Sequence, residues 1–541
     1  MKTSARGQRA FTDLAIAPKI LRALAAARTI TSMHTNMPCA ALVLCVMLTS
    51  SQMAGAVTIT LPPGANLQSA VNATPGGTTF VLTPGVYRAQ SVQPKTGDSF
   101  IGEAGAVMDG AALLTGWTRT SINGTIYWTT AGGTPLGGRF CGASGPCCMN
   151  AWADCTAPQN LYFDNIDYGH SNSFANMQPG RWYYDYNGGD GGIVNNIYLL
   201  DNPIGHTVEL SAQNYAFTSW GANSASNVTI KDLIVEKYGT PIETGTIRAT
   251  GPGWVIDSNE VRLNHGEGIE TNGNNSVVTH NYAHDNGELG MGAGGGDRSG
   301  NLFTGDVYDS NIVVHNNIDN ITVAFEGGGM KSVVADSQFT YNVVHDNFGP
   351  GIWFDVHSDH ITIDHNTSYN NTAGILYEVS HAGTITNNTV YGNGWNGHGQ
   401  DQISCASCDY TTISGNTVLV GIPGPFSPGA GGIVISNGRT DGFTVTHDLV
   451  TNNVIIIVSG SPWYANAGGI ADYATPPQLS IFTDPTNYFD NNIYDVPSLS
   501  NTYWYWGGRS SSPGPTSLTW NGWQAEGQDL HGTASVPSSQ H

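Results

Sequence analysis

Charged residues are scarce in this sequence, and basic residues are the scarcer kind. Of the 541 residues 11% are charged, with 19 Lys and Arg against 41 Asp and Glu, which gives a formal net charge of −22. A disordered chain or a coiled coil would carry far more charge, so neither class fits. The acidic excess also disfavours binding to nucleic acid phosphates or to anionic lipid, so neutral or cationic partners suit the chain better.

Long apolar runs are missing beyond the N-terminal segment. Residues 1–56 carry basic side chains, then an apolar run from Ala40 to Leu48 and a small-residue triplet that ends at Ala56, which is typical of an export signal. No later stretch holds 18 uninterrupted apolar residues, the length that a membrane-spanning helix needs. We therefore expect a secreted mature chain that starts at Val57 and has no membrane partner after cleavage.

Cysteine is sparse as well. The mature chain would keep six cysteines: Cys141, Cys147, Cys148, Cys155, Cys405 and Cys408. An even number in an exported chain favours disulfides, although the clustering also suits metal ligands or a redox motif, and fifteen pairings are possible. Because no histidine stands at zinc-finger spacing beside either cluster, we expect disulfide bonds and no metal site.

A short phrase recurs from about Asn227 onward: alternating apolar residues, an asparagine, a β-branched pair and a turn. The repeated asparagines include Asn259, Asn281, Asn342, Asn366, Asn388 and Asn416. The steps between these asparagines are mostly 22 to 26 residues, with longer steps where Gly-rich loops intervene. A period in that range with short strands predicts a solenoid. The strands are rich in Val, Ile, Thr and Tyr and lack a Leu-x-x-Leu-x-Leu frame, so a parallel β-helix is favoured over a leucine-rich repeat. The asparagines are then expected to stack in a hydrogen-bonded ladder.

The repeat divides the chain into five predicted segments. They are an export segment (1–56), an N-terminal cap with the first rungs (57–110), a Cys- and aromatic-rich excursion (111–215), a β-helix core with the active face (216–487) and a C-terminal cap (488–541). A solenoid must cover its end strands, and residues 65–73 predict an amphipathic helix that does so. This helix and the strand, turn and strand over residues 79–87 resemble the start of pectate-lyase-like proteins. The expected fold is therefore all-β, a right-handed parallel β-helix with a capping helix and an inserted excursion.

Two acidic residues stand one coil apart in matching phrases, Gly351-Ile-Trp-Phe-Asp355 and Gly374-Ile-Leu-Tyr-Glu378. Because side chains alternate along a strand, Val356 is predicted to point into the core, and Trp353 and Asp355 to point outward. Adjacent strands lie about 4.8 Å apart, so the carboxyl groups of Asp355 and Glu378 are expected to face each other at roughly 5 Å.

More acidic residues are predicted on the same face. Glu326 and, further back, Glu270 are expected to point outward in the register of Trp353. Stacked carboxylates repel one another, which destabilises a sheet without compensation. A retaining glycosidase needs this arrangement, with two carboxyl groups about 5 to 5.5 Å apart, one of them kept protonated by its neighbour. A solvated acidic face or a calcium site are the alternatives that the spacing leaves open.

The phrases around these residues resemble a known group of enzymes. The three are Phe325-Glu326-Gly-Gly-Gly-Met-Lys331, Gly351-Ile-Trp-Phe-Asp355 and Tyr377-Glu378-Val-Ser-His381. They look like the catalytic rungs of glycoside hydrolases of family 120, the β-xylosidase type, and of related fucosidase-like families. The resemblance implies that Asp355 is the nucleophile, Glu378 the acid/base and Glu326 an assisting residue. The segment from Trp520 to His531 also resembles the closing segment of such proteins.

We expect a secreted, retaining, β-xylosidase-like glycoside hydrolase that acts on a neutral glycoside or polysaccharide. Carbohydrate is then the partner, and no redox or nucleotide cofactor is implied, although calcium stays open. The residues expected to contact substrate are Trp353, Glu270, Lys331, His357 and His381.

Two other functions remain open. One is a polysaccharide lyase or epimerase with Lys331 as base and Arg298 nearby, which is disfavoured because a carboxylate-rich face repels an anionic uronan. The other is a carbohydrate-binding surface protein without catalysis, for which a long β-solenoid is also suited.

Overall fold

The computed structural model describes residues 57–137, 159–186, 191–219, 224–295, 301–395, 401–426, 430–438, 444–458, 466–508 and 516–537. The predicted export segment and Arg298 lie outside the described residues, as do the cysteines Cys141, Cys147, Cys148 and Cys155. In the described part of the chain, no helix is long and apolar enough to cross a membrane.

Successive coils of the chain place their strands in three long sheets, here named A, B and C. Sheet A contains thirteen strands in the described residues: Thr58–Leu61, Thr79–Leu82, Ser99–Gly102, Thr229–Lys231, Val255–Asp257, Val277–Thr279, Val307–Asp309, Gln338–Thr340, Thr362–Asp364, Thr384–Thr386, Thr412–Ser414, Leu449–Thr451 and Tyr488–Asp490. Sheet B contains thirteen in the same ranges: Gly85–Arg88, Ala106–Asp109, Ile234–Glu236, Glu260–Arg262, Tyr282–His284, Ile312–Val314, Val343–His345, Thr367–Tyr369, Thr389–Tyr391, Thr417–Val420, Val454–Ile457, Ile493–Asp495 and Thr533–Ser535.

Sheet C carries the predicted acidic face and contains twelve described strands: Phe217–Thr218, Gly245–Ala249, Glu267–Thr271, Leu289–Ala293, Gly328–Ser332, Pro350–Phe354, Ala373–Glu378, Ile403–Ala406, Ile433–Asn437, Gly468–Asp472, Trp504–Gly508 and Thr516–Leu518. Neighbouring strands are parallel except for the last pair, which is antiparallel. This repeated three-sheet coil is the architecture of a parallel β-helix, as predicted.

Stacked apolar side chains form the core of the solenoid. In sheet C one register position is occupied on successive rungs by Ile247, Ile269, Met291, Met330, Ile352, Ile375 and Ile403, all of them buried. Each side chain therefore packs on its copy one rung away. Apolar burial of this kind is the dominant favourable term in folding, and it fixes which face of each strand points inward.

Asparagine ladders run along the turns, as the repeat predicted. The first comprises Asn259, Asn281, Asn311, Asn342, Asn366, Asn388, Asn416, Asn453 and Asn492, and each Nδ2 donates to the next Oδ1 at 2.9–3.1 Å. A second ladder, which the sequence did not predict, comprises Asn264, Asn286, Asn316, Asn347, Asn371 and Asn393. The residue before many first-ladder asparagines has a positive φ, for example His365 at 56°, and the ladder bonds offset the cost of that conformation.

Removing one ladder amide is expected to destabilise the whole solenoid. Asn366 donates to Asn388 Oδ1 at 3.0 Å and to the Phe339 carbonyl at 2.8 Å, and its Oδ1 accepts from the backbone and side-chain nitrogens of Asn342. Asn366→Ala leaves several buried polar groups unpaired, so we expect a loss of about 3 to 5 kcal/mol in urea unfolding. Asn72→Ala, on an exposed helix position, is the control and should change stability by less than about 0.5 kcal/mol. Equal losses in the two variants would show that the ladder is not a stabilising element.

Both ends of the solenoid are covered. The helix Leu67–Ala73 begins at the cap Asn66, whose Oδ1 accepts from Ser69 N at 2.8 Å, and it buries Leu67 and Val71. This agrees with the helix predicted over residues 65–73. At the other end the helix Trp520–Ala525 buries Trp523, whose Nε1 donates to Asp529 Oδ2 at 2.9 Å. Short 3₁₀ turns lie at Phe174–Asn176 and Leu479–Phe482.

Along the chain, the excursion follows the sheet B strand Ala106–Asp109 and precedes the sheet C strand Phe217–Thr218. It folds as a separate sheet. Its eight described strands are Ala111–Leu113, Thr118–Ile122, Thr125–Ala131, Leu161–Phe163, Ile166–Ser171, Arg181–Tyr184, Asn196–Leu199 and Val208–Ser211. It has a separate apolar core around Trp182. Contacts to the solenoid include Lys237 Nζ to Glu209 Oε2 at 2.6 Å and Asn160 Nδ2 to Asp319 Oδ2 at 3.2 Å.

The predicted disulfide bonding is confirmed for one pair. Cys405 and Cys408 form a disulfide that is fully buried at the end of a sheet C strand. The bond closes the turn that follows the strand Ile403–Ala406.

Candidate active site

A cavity of about 490 Å³ opens on the outer face of sheet C. Its lining includes five carboxylate side chains, Glu243, Glu267, Glu270, Glu326 and Asp355, and the ammonium group of Lys331. The phenyl ring of Phe325 and the side chain of Leu289 supply apolar lining. A concave site with convergent charged groups and some apolar wall is typical of a ligand-binding or catalytic pocket.

Asp355 stands directly after a sheet C strand and faces the cavity. The strand Pro350–Phe354 ends at a core residue, and Asp355 Oδ1 then accepts from Val356 N at 2.8 Å. Val356 and His357 have φ angles of 42° and 72°, which turn the chain away from the sheet. Val356 is therefore 43% exposed and lines the cavity, so the prediction that it points into the core was wrong. Strand alternation does not continue through a left-handed turn.

Lys331 connects the acidic groups at the centre of the site. Its Nζ lies 3.1 Å from Glu326 Oε1, 3.3 Å from Asp355 Oδ2 and 4.0 Å from the centre of the Trp353 ring. A buried cation between two carboxylates compensates charges that would otherwise repel each other, and the aromatic ring adds a cation–π contact. The arrangement fixes the Asp355 carboxylate beside the cavity.

Trp353 differs from its predicted role. It was expected to point outward and to contact substrate, but the side chain is only 3% exposed and is absent from the described cavity lining. The ammonium of Lys331 lies over its ring. The Trp353 ring therefore packs against the ammonium group of Lys331.

Glu326 reaches the site from a turn. The prediction that it lies in the register of Trp353 was wrong. Lys331 occupies that register position. The backbone N–H groups of Phe325, Glu326 and Gly327 all donate to Thr322 O at 3.1–3.2 Å, in a loop that precedes the strand Gly328–Ser332. Burial raises the pKa of Glu326 to about 7, although Lys331 opposes that rise. Glu326 therefore carries a proton over much of the acidic range.

Glu270 occupies the predicted register position. It pairs with Gly292, the next strand pairs Gly292 with Lys331, and Lys331 pairs with Trp353. Its Oε2 lies 2.8 Å from Arg248 Nε and accepts from Gly245 N at 2.9 Å. The ion pair with Arg248 and the hydrogen bond from Gly245 N hold the carboxylate in one orientation at the cavity wall.

Sequence reasoning missed two buried acids near Glu270. Burial raises the pKa of Glu267 well above its ordinary value, and the neighbouring Glu270 adds to that rise. Burial also raises the pKa of Glu288 well above its ordinary value, and the charge of Glu326 adds to that rise. The hydrogen bond that Glu288 accepts from Glu243 N at 2.8 Å lowers the pKa in part. A signal was present, because an acidic residue begins or precedes two successive sheet C strands. Alternation within strands does not reveal it, since these residues stand where each coil enters the sheet.

Glu378 ends the strand Ala373–Glu378, one rung beyond Asp355. Phe354 pairs with Tyr377, so Asp355 and Glu378 follow equivalent positions of adjacent strands, as predicted. Glu378 is partly buried and does not belong to the described cavity lining.

The predicted histidines lie in the turns after these strands. His357 is exposed, and His381 Nδ1 lies 2.6 Å from Asp409 Oδ1 with its side chain 39% exposed. Neither belongs to the described cavity lining, in contrast to Glu270, Glu326 and Lys331. Their predicted contact with substrate stays a prediction.

Acidic residues are also candidate ligands for a metal ion. In the described ranges, the group of side chains close enough to share a metal ion is Cys405, Cys408 and Asp448, and the two sulfurs are bonded to each other. At the acidic face, Lys331 already lies between Glu326 and Asp355. Calcium at this face stays a prediction.

Comparison with known proteins agrees with the fold. A family described as "Right handed beta helix region" matches residues 307–471. The fold is a right-handed parallel β-helix. The structure described as "The complex structure of XylC with xylose" matches with a TM-score of 0.59 at 14% identity and covers 83% of each chain.

Two further solved structures align more weakly with this β-helix. They are the A-modules of the Azotobacter vinelandii mannuronan C-5 epimerases AlgE4 and AlgE6, with TM-scores of 0.44 and 0.47, each at 14% identity. The alignments cover 86% and 87% of this chain and 93% and 94% of theirs. No curated protein matches the sequence.

Proposed function

We propose that this β-helix is a secreted glycoside hydrolase that cleaves a neutral glycoside or polysaccharide with retention of configuration. The observation that carries the proposal is the register of two acids. Asp355 and Glu378 follow paired residues of adjacent parallel strands, and such strands lie about 4.8 Å apart. Retaining glycosidases use two carboxyl groups about 5 to 5.5 Å apart.

In the proposed reaction the sugar occupies the cavity beside Asp355. An Asp355 carboxylate oxygen attacks the anomeric carbon while the bond from that carbon to the leaving oxygen breaks, and Glu378 gives its proton to the leaving oxygen. Glu378 then removes a proton from water, whose oxygen attacks the anomeric carbon and releases Asp355. Glu378 follows the sheet C strand one rung beyond that of Asp355.

Lys331 and Glu326 have supporting roles in this proposal. The ammonium of Lys331 holds the Asp355 carboxylate in place and separates it from Glu326. Glu326, with its pKa of about 7, can donate a hydrogen bond to a sugar hydroxyl below that pH.

The charges around the cavity favour a neutral substrate. The carboxylates of its lining outnumber the single described ammonium there, so an anionic uronan would be repelled. A lyase would also need a free base, whereas Lys331 contacts two carboxylates and an aromatic ring. The likeness to XylC, solved with xylose, supports a carbohydrate partner.

The stereochemistry of the first product tests this proposal. The mature chain from Val57 is incubated with aryl β-xyloside, α-fucoside and β-glucoside and with polysaccharides, and proton NMR follows the anomers while ultraviolet absorbance is recorded. We expect the initial product to keep the anomeric configuration of the substrate, without new absorbance. The opposite anomer would contradict the two-step mechanism, and a product absorbing in the ultraviolet would indicate a lyase.

A further inference from the structure

Two glycines open a cleft in the wall of the cavity. A Cβ atom at Gly292 would lie 2.7 Å from Glu267 Oε2 and 2.8 Å from the Lys331 carbonyl oxygen. A Cβ atom at Gly294 would lie 2.9 Å from Glu270 Oε1 and 3.0 Å from Asn272 Oδ1. Neither glycine is among the residues with positive φ, so glycine is required for space and not for backbone conformation. We call this space the glycine cleft.

Two residues beside this cleft carry buried polar atoms that have no partner among the described residues. Glu267 is 6% exposed, and its Oε2 has no hydrogen-bond partner among the described residues. The Nδ2 of Asn272 is likewise buried and unpaired within the described ranges. Both residues line the cavity together with Gly292 and Gly294. Buried polar atoms are almost always hydrogen-bonded, and a ligand with polar groups would supply partners for both atoms.

The cleft presents both hydrogen-bond donors and a hydrogen-bond acceptor. Glu270 is a fixed acceptor, because Arg248 and Gly245 N orient its carboxylate. Asn272 offers an amide donor. Glu267 interacts with the charges of Glu270, Glu288, Glu326 and Arg248. Burial, followed by the three neighbouring acids, raises the pKa of Glu267 well above its ordinary value, which favours the protonated form that can donate a hydrogen bond. A hydroxyl group donates one hydrogen bond and accepts others, so adjacent hydroxyls complement such a row.

We propose that Glu267, Glu270 and Asn272 form a subsite that binds two neighbouring hydroxyl groups of a neutral monosaccharide unit and thereby selects the sugar beside Asp355. The selection of the reacting sugar rests on the proposed glycosidase function, whereas the binding itself does not. The subsite discriminates against a sugar that bears a carboxylate, because the carboxylates of Glu270 and Asp355 both line the cavity.

Calorimetry with free monosaccharides tests the subsite without any glycosidic bond to cleave. The mature chain is titrated with D-xylose, D-glucose, L-fucose and D-glucuronate. We expect at least one neutral sugar to bind and glucuronate to bind at least about tenfold more weakly than glucose. In Asn272→Ala and Glu267→Met the affinity for the bound neutral sugar should fall about tenfold each, because a buried hydrogen bond is lost. Glu267→Gln keeps a donor and should lose less than about threefold.

Three further comparisons separate binding from folding. Gly294→Ala should weaken binding as strongly as Asn272→Ala, because its methyl group meets Glu270 and Asn272 at the cleft. The melting temperature of this variant is measured alongside, so that affinities are compared between folded proteins. Glu103→Gln, which removes an exposed carboxylate elsewhere, should leave affinity unchanged. A deoxy sugar that lacks one bound hydroxyl should bind the unmodified chain about tenfold more weakly and the Asn272→Ala chain almost as well as the parent sugar.

The proposal is overturned if none of the four sugars binds, or if Asn272→Ala and Gly294→Ala bind like the unmodified chain. Failure of the glycosidase function would look different, since the sugars would still bind while no glycoside is turned over. The opposite result is also distinguishable. If turnover depends on Asp355 but Asn272→Ala binds the neutral sugar as well as the unmodified chain does, the glycosidase function stands and the subsite is excluded.

Discussion

Asp355→Asn is expected to lower kcat on a neutral aryl glycoside by at least about 1,000-fold, because an amide cannot form the covalent glycosyl intermediate. The fold should be unaffected, since Asp355 faces the cavity while the preceding Phe354 packs in the core. Initial rates and far-ultraviolet circular dichroism of the two proteins provide the measurement. Normal turnover in this variant would remove Asp355 from the mechanism.

Glu378→Gln completes this prediction, because the two acids have different tasks. Loss of a general acid costs about 100- to 10,000-fold, and the loss should be smaller for an aryl leaving group that departs without protonation. A set of aryl glycosides with graded leaving-group pKa values measures the difference. Glu103→Gln is the matched control and should retain full activity. Equal loss on all leaving groups would contradict the acid role of Glu378.

The mature chain is expected to be more stable towards urea at pH 5 than at pH 8. Burial raises the pKa of Glu326 and Asp401 to about 7 and that of Asp109 and Asp306 to about 6. The folded chain therefore keeps protons that the unfolded chain releases from about pH 4 upward. Stability falls as the pH rises through this window to about 7, and Glu326 alone contributes about 3 kcal/mol.

Groups whose pKa values are lowered in the folded chain do not cancel this fall in stability with pH. Burial lowers the pKa of His170 to about 3, so the unfolded chain takes up a proton below pH 6.5, which costs about 2 kcal/mol of stability at pH 5. Asp257 and Asp364 have lowered pKa values and lose their contribution only below about pH 4. We expect a net difference of about 3 kcal/mol or more between pH 5 and pH 8.

Urea midpoints at unit pH intervals measure this dependence, and Glu326→Gln is the informative variant. It removes one raised pKa without changing side-chain size, so its stability should vary with pH by about 3 kcal/mol less than that of the unmodified chain. A stability that is flat or rises from pH 5 to pH 8 would show that these carboxyl groups are not protonated in the folded chain.

Much of the architecture could be predicted because a parallel β-helix repeats its contacts from coil to coil. The stacked asparagines, the capping helix and the equivalent positions of Asp355 and Glu378 all follow from local periodicity. The prediction for Val356 failed where a left-handed turn interrupts alternation, and the prediction for Glu326 failed where a loop of irregular length enters the sheet. The separate sheet of the excursion has no such repeat, and its topology was not predicted.

The sequence by itself determined the repeat, the buried face of each strand and the placement of two acids one coil apart, because these depend on spacing along the chain. Only the tertiary structure decided what surrounds them. Lys331 lies between Glu326 and Asp355, Trp353 is buried, and Glu267 faces a glycine cleft. Such contacts join residues from different coils and loops, so charge compensation and burial fix them, and no period in the sequence encodes them.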